Sequence, residues 1–495
     1  MSAVAVLLLA AVLRTVGIAS ESFWYDEAYS ASIIEQSYAE LWTGEAKDNG
    51  NPPLYWIALK AWESVFGSSE VALRALSAMA SIATTVVIIW LAALCADRRT
   101  ALVTGVLWAM SPWSIFLANE TRVYALLQLL AVAATLLFVR WVQRGGGALL
   151  AAYAAIVFAA CHSHYFGFVV PLAHGLVLGW HSLHGGKARR TLAHWCGAMV
   201  AIALVWSYWI PNLWNQMATR GMEDMGRTFL RLSATPLILT FGRTLAWREH
   251  GVILVGLASL AAAATLGIAF LAGLFSRTRD PNAKAIVIAW CLIPTAVPFL
   301  ITALGKPVFQ VRYAAVALPA FLIVCARGVV TLRRFPKTVC VWAVVLIALT
   351  AVSLGRYYVL PYKDDWRSAT EWLFDKSMRQ DIVLIDPDHD MLSFRYYLGK
   401  TDREFYKVVA TRDIPITHAK LPVNVLDQLD DTQTHTVFNP HESPATSLWL
   451  ILRYPKNHHP RSRYEELLGQ AGYSVVEIKT FRNISVLHFA LPDSS

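Results

Sequence analysis

Charge is scarce in this chain, and so is cysteine. Only 16% of its 495 residues are Asp, Glu, Lys or Arg, while 56% are hydrophobic. With a mean hydropathy of +0.45, an ordinary soluble enzyme of this length is excluded. The cysteines (Cys95, Cys161, Cys196, Cys291, Cys325 and Cys340) fall in or at the ends of apolar runs. No disulfide framework is therefore implied for the long polar loops or the tail. Internal repeats, low-complexity tracts, a P-loop and the glycine fingerprint of dinucleotide-binding folds are also missing, which leaves nucleotide chemistry without a sequence handle.

What the chain has instead is long apolar runs. Segments such as LSAMASIATTVVIIWLAALCA are long enough, at ~1.5 Å per residue, to cross a ~30 Å hydrocarbon layer. The pattern predicts a polytopic α-helical membrane protein of about eleven spans, beginning near residues 2, 73, 101, 123, 148, 166, 192, 251, 285, 314 and 339. The net charge of +9 is no nucleic-acid footprint, because its basic residues gather in alternate short loops. Arg98, Arg99, Arg140, Arg144, Lys187, Arg189, Arg190, Arg277, Arg279, Lys284, Arg333, Arg334 and Lys337 mark one set, against Asp97 and Asp280. By the positive-inside rule that set is cytoplasmic. The loop at residues 20–70, a second loop at 211–250 and the tail are then expected outside. The first run, AVAVLLLAAVLRTVGIAS, lacks a basic leader and is interrupted by Arg14, so it reads as a retained span rather than a cleaved signal.

Composition divides the chain into a membrane part, residues 1–358, and a soluble part, 359–495. In the latter DIVLIDPDHD, SLWLILRYP and GYSVVEIKTFRNISVLHFAL read as strands. RSATEWLFDKS and RYEELLGQAG read as helices, giving a small C-terminal α/β domain. In the first outward loop DEAYSASIIEQSYAEL and PPLYWIALKAWESVFG read as helices too short to span, suited to lying in the interface.

Against so little charge, ESFWYDEAYS stands out. Asp26 and Glu27 are adjacent and ringed by Trp24, Tyr25 and Tyr29. An Asp at a helix N-cap would account for Asp26 alone. A carboxylate pair beside aromatic faces suits a general base next to a sugar ring. At the far end of that loop Asp48, Asn49 and Asn51 precede Pro52 and Pro53, which start a helix. The outward turn NETRVY carries Glu120 and Arg122, and CHSHYF carries His162, His164 and Tyr165. Two histidines one residue apart are a weak metal signal; a metal stays unassigned and no cofactor is required, a divalent cation being compatible. GKPVFQVRY supplies Lys306, Arg312 and Tyr313 on the side where basic residues serve no topological purpose, which suits an anion site. KDDWRSATEW, with Asp365 and Arg367, joins the last span to the tail as a capped helix or a head-group contact.

One ligand needs all of these groups: a sugar on a lipid phosphate. The phosphate asks for Arg or Lys, the sugar for aromatics and carboxylates, and the lipid for the spans. Phosphate leaves as a stable anion, so one base without an acid partner suffices. A transporter or flippase for lipid-linked sugars is the alternative; it needs ionisable groups at mid-depth, of which His174 is the clearest. A membrane-anchored binding protein built around the tail leaves the first loop unexplained.

Taken in order, WYDEAYS, NGNPPLYWIALKAW, FGSSEVALRALSA, NETRVYALL, SHYFG, FQVRYAAVALPA and DDWRSA resemble the bacterial C-type glycosyltransferases of the family 39 kind, which include the lipid A aminoarabinose transferase and the protein O-mannosyltransferases. The resemblance implies inverting transfer of a sugar from a polyprenyl-phosphate donor, at the outer, periplasmic face of a bacterial inner membrane, to a lipid, glycan or protein acceptor. It also implies that the acidic pair is Asp26 and Glu27, with the Asp catalytic. Where many relatives carry a His before the two prolines, this chain has Asn51.

Overall fold

A computed structural model describes residues 2–44, 51–183, 185–219, 235, 238, 264–278, 280–304, 310–379, 381–387, 390–401, 407–410, 447–453 and 461–492. The chain forms two compact units: residues 1–18 with 33–361, and residues 19–32 with 362–495. The sequence boundary at 358/359 differs chiefly in residues 19–32, which fold with the tail.

The first unit is helical. Helices Ala3–Thr15, Glu70–Cys95, Arg98–Ala109, Tyr124–Arg144, Gly147–Ser163, Val169–Ser182, Gly186–Trp206, Pro281–Ala303, Leu318–Leu332 and Pro336–Val359 answer ten of the eleven expected spans. The start of the other, near residue 251, lies outside the described residues. Among the described residues six helices are long and apolar enough to cross a membrane, or seven if Arg98–Ala109 and Pro112–Ala118, bent by 58°, count as one span. Ala3–Thr15 and Gly147–Ser163 are shorter apolar helices. The expected loop at 211–250 is helical at its start, Ile210–Thr219.

The bend has a local cause. Ser111 caps a new helix and Pro112 occupies its first turn, where its missing N–H costs nothing. At the break the carbonyls of Trp108 and Ala109 accept from the Arg14 guanidinium at 3.0 and 3.1 Å, and that of Trp108 also accepts the Ser111 N–H at 3.2 Å. Arg14 is fully buried and also donates to Ser81 Oγ and Ser114 Oγ, each at 2.7 Å. The cation that interrupts the first apolar run thus satisfies a broken helix.

The expected helix over 26–41 is two, Tyr25–Ile33 and Tyr38–Thr43. Ser37 and Glu40 form a capping box that starts the second. Helix Leu54–Phe66 follows the two prolines and ends at Gly67, φ +83°.

The second unit is built on a five-stranded sheet in the order β2-β1-β3-β5-β4, formed by β1 (Ile382–Asp386), β2 (Lys407–Ala410), β3 (Ser447–Arg453), β4 (Ser474–Phe481) and β5 (Ile484–Ala490). β1 pairs in parallel with β2 and β3, while β3–β5 and β5–β4 are antiparallel. The final apolar stretch is a hairpin turning at Arg482 and Asn483, the latter at φ +61°, a conformation Asn tolerates. Ile382, Leu384, Leu448, Leu450, Leu487 and Phe489 form the core with Tyr464 and Leu468 of helix Arg461–Gln470. Helices Trp366–Lys376 and Met391–Leu398 complete the unit.

Candidate functional site

The acid pair belongs to the second unit. Trp24's carbonyl accepts the N–H groups of Glu27 and Ala28, both at 3.0 Å, so the helix begins at Tyr25. Asp26 and Glu27 both sit in its first turn, where exposed N–H groups and the helix dipole favour negative charge. Asp26 is therefore not the cap. Its side chain is half-buried, whereas that of Glu27 is fully buried. Glu27 Oε2 pairs with Lys363 Nζ at 2.8 Å, with Lys363 only 4% exposed. Tyr25 and Tyr29, with ring centroids 6.3 Å apart, flank the acids and are half-buried.

The segment before the helix is tied to the start of the tail. Ser22 Oγ donates to the Asp364 carbonyl at 2.6 Å, and the Trp366 N–H donates to Ser22 Oγ at 3.1 Å. Arg367 donates to the carbonyls of Ala19 and Glu21, both at 3.3 Å. The Lys363 N–H donates to Glu21 Oε1 at 2.8 Å, and the Phe23 N–H to Tyr397 Oη at 2.7 Å. Asp365 caps helix Trp366–Lys376 by accepting the Ser368 N–H at 3.3 Å. Two motifs separated by more than 300 residues thus meet, with Asp365 serving the helix start and Arg367 the backbone of the acidic segment.

The remaining described candidates lie in the first unit. His164, Arg312 and Tyr313 come together around Tyr124. The His164 ring is 5.6 Å from Tyr124 and 5.3 Å from Tyr313. The Arg312 guanidinium stands 6.0 Å from the Tyr124 centroid, a cation–π distance. Its Nε donates to Gln310 Oε1 at 2.6 Å. His164 Nδ1 accepts the Phe166 N–H at 3.0 Å, which places the proton of a neutral ring on Nε2. The turn is tight: a Cβ on Gly167 would lie 2.3 Å from the Ala160 carbonyl. Gln128 holds helix Tyr124–Arg144 to the Arg312 segment by donating to the Ala315 carbonyl at 2.9 Å.

Glu120, Arg122 and Asn51 are buried. Arg122 stacks over Trp56 at 5.9 Å, and its carbonyl accepts Ser77 Oγ at 3.2 Å. Tyr165 turns to other partners, donating to Gln216 Oε1 at 2.7 Å and accepting Trp209 Nε1 at 3.1 Å. Asp48 and Lys306 lie outside the described residues. Tyr124 and Gln310 are the members that sequence reasoning left out, whereas Lys363 reads there as a head-group cation. Tyr124 closes NETRVY, and an aromatic at a span entrance beside a basic residue was the available signal. Nothing local marks Lys363 as the partner of Glu27.

His162 and His164 do not converge. His162 Nδ1 faces the Phe158 carbonyl at 3.0 Å, and its ring stacks on Phe158. Among the described residues no three His, Cys, Asp or Glu side chains gather in a metal-binding group. His174, the ionisable group deep in the bundle, contacts Tyr153 Oη at 3.0 Å and Thr135 Oγ1 at 3.2 Å and stacks on Phe138 at 4.2 Å. Both ring nitrogens are satisfied, as a packed core histidine requires.

Residues 50–209 match the family model described as dolichyl-phosphate-mannose-protein mannosyltransferase. No protein of curated function matches the chain by sequence. Among solved structures, the oligosaccharyltransferase of Archaeoglobus fulgidus, tethered with an acceptor peptide, aligns with a TM-score of 0.50 at 12% identity, covering 83% of this chain and 64% of that one. The chain thus spans less than two thirds of that enzyme. ArnT from Cupriavidus metallidurans aligns over 98% of this chain and 96% of its own, at 15% identity and a TM-score of 0.46. The Pmt1–Pmt2 protein O-mannosyltransferase complex of S. cerevisiae aligns over 46% of this chain and 34% of its own, at 15% identity and a TM-score of 0.35. The chain is a multi-pass membrane protein with the fold of the C-type glycosyltransferases, and its residues 50–209 carry the mannosyltransferase-family pattern.

Proposed function

We propose that the protein is an inverting glycosyltransferase that moves a sugar from a polyprenyl-phosphate donor to a hydroxyl of a lipid, glycan or protein acceptor at the outer face of a bacterial inner membrane. The observation that carries this reading is the family match over residues 50–209, whose description names a dolichyl-phosphate sugar as donor. In the proposed reaction the Asp26 carboxylate takes the acceptor's hydroxyl proton. The acceptor oxygen bonds to the anomeric carbon as that carbon's bond to the phosphate oxygen breaks, and polyprenyl phosphate departs with the electron pair. Arg312, with Arg122 and Lys306, offsets the charge that builds on the phosphate. Tyr25 and Tyr29 offer ring faces to the sugar, and Tyr313, Tyr165, His164, Glu120, Asp48 and Asn51 complete the proposed binding set. Asp365 and Arg367 enter that set at the start of the tail. Because arginine and lysine supply the cationic charge, activity is expected to survive chelation of divalent ions.

The test is the purified full chain in proteoliposomes, offered undecaprenyl-phosphate conjugates of mannose, glucose and arabinose with envelope lipid and glycan acceptors. Transfer releases free undecaprenyl phosphate, whereas a flippase moves the conjugate unchanged. Asp26→Asn is expected to lower turnover ~10²–10⁴-fold, the worth of a positioned base. Retained turnover with lowered thermal stability would reduce Asp26 to a helix-start acid.

A further inference from the structure

Glu27 is adjacent to the proposed base, yet it is not exposed at all. A buried carboxylate needs a compensating charge or it takes up a proton. Lys363 Nζ, itself 4% exposed, supplies that charge at 2.8 Å. The backbone that carries Lys363 is fixed on both sides. Its N–H and that of Tyr362 donate to Glu21 Oε1, and its carbonyl accepts Arg482 Nε from the β4–β5 turn. The next residue, Asp364, accepts Arg453 Nη1 at 3.2 Å and Asn483 Nδ2 at 3.0 Å. The hairpin turn, residues 363–364 and the first turn of helix Tyr25–Ile33 are thus linked by consecutive bonds.

Helix geometry gives this linkage a consequence. Adjacent residues on an α-helix project about 100° apart, so fixing the direction of Glu27 fixes the rotation of the turn and the direction of Asp26. A general base acts only within hydrogen-bond reach of its proton. We propose that Lys363 is a positioning residue for sugar transfer, acting through Glu27 on the turn that carries Asp26. This rests on the assignment of Asp26 as the base. The membrane part carries the family pattern, while the tail sets the aim of the base.

The experiment measures turnover and apparent donor affinity in proteoliposomes, with the undecaprenyl-phosphate conjugate that the wild type consumes. The variants are Asp26→Asn, Lys363→Met, Glu27→Gln and the double variant Lys363→Met/Glu27→Gln. Lys363→Met is expected to lose ~10²-fold in turnover, the cost of a misplaced reacting group, with donor affinity changed less than about twofold. The double variant is expected to match Glu27→Gln alone, because the proposed effect of Lys363 runs through the Glu27 carboxylate. It also leaves no lone buried charge, so it carries the test if Lys363→Met does not fold. Wild-type turnover in Lys363→Met alongside an inactive Asp26→Asn overturns the positioning role and leaves the base standing. A double variant additively worse than Glu27→Gln overturns it equally, since Lys363 would then act by another route. An active Asp26→Asn removes the base and the positioning role with it.

Discussion

Arg312 is the cation proposed first to face the departing phosphate. Its guanidinium lies over Tyr124 and its Nε is oriented by Gln310, so the side chain is held in place before any ligand arrives. Preorganised charge acts most strongly where charge develops in the transition state. Arg312→Ala is therefore expected to lower turnover ~10²-fold while apparent donor affinity falls by less. Unchanged turnover would move the proposed phosphate contact to another cation. At this scale the sequence disclosed the charged residues and little of their company. Arg312 and Arg122 are conspicuous because the loops expected outside hold few cations. The ring that receives Arg312, 188 positions earlier in the chain, has no local signature. Glu27 is the sharper case: its acid neighbour and aromatic ring read as a site, whereas its burial against Lys363 depends on a contact across the whole chain.

At the scale of elements, hydropathy placed the helices and missed their interruptions. The break after Ala109 and the capping box at Ser37 are each decided by two or three polar residues inside apolar or amphipathic runs, which a membrane-length window averages away. Helix Met391–Leu398 and strand Lys407–Ala410 are short, and their neighbours in sequence carry no strong alternation. A close helix contact was equally hidden. Helix Ala264–Leu274 meets helix Leu318–Leu332 backbone to backbone through two glycines. A Cβ on Gly328 would lie 1.7 Å from the Ala269 carbonyl, and one on Gly273 would lie 1.9 Å from the Val324 carbonyl. Small residues at such a crossing provide packing where lipid gives no hydrophobic drive. Gly328→Ala must push the helices apart and is expected to cost ~1–3 kcal/mol or more by overpacking. In detergent its thermal unfolding should fall several degrees below that of Gly185→Ala, whose added Cβ meets nothing within 4 Å. Equal midpoints for the two variants would show that this crossing yields without penalty.

At the scale of the whole molecule the two units constrain topology. Residues 19–32 share hydrogen bonds and the Glu27–Lys363 pair with residues 362–367, so the acidic segment and the tail must lie on one side of the membrane. An even number of crossings between them follows, whatever the count. The charge pattern gives the expected side: by the positive-inside rule the alternate short loops that gather the thirteen basic residues from Arg98 to Lys337 are expected in the cytoplasm. The acidic segment and the tail are then expected outside. Cysteines introduced at Ser69 and Gln470, both exposed, should react with a membrane-impermeant thiol reagent in intact cells, above the signal of the native cysteines. One introduced at Gly185, exposed between two helices in the basic set, should react only after the membrane is opened. Labelling at Gly185 with protection at Ser69 and Gln470 would invert the protein and place Asp26 in the cytoplasm. Reaction at Gln470 with protection at Ser69 would put an odd number of crossings between the first loop and the tail, contradicting the shared fold of residues 19–32 and 362–495.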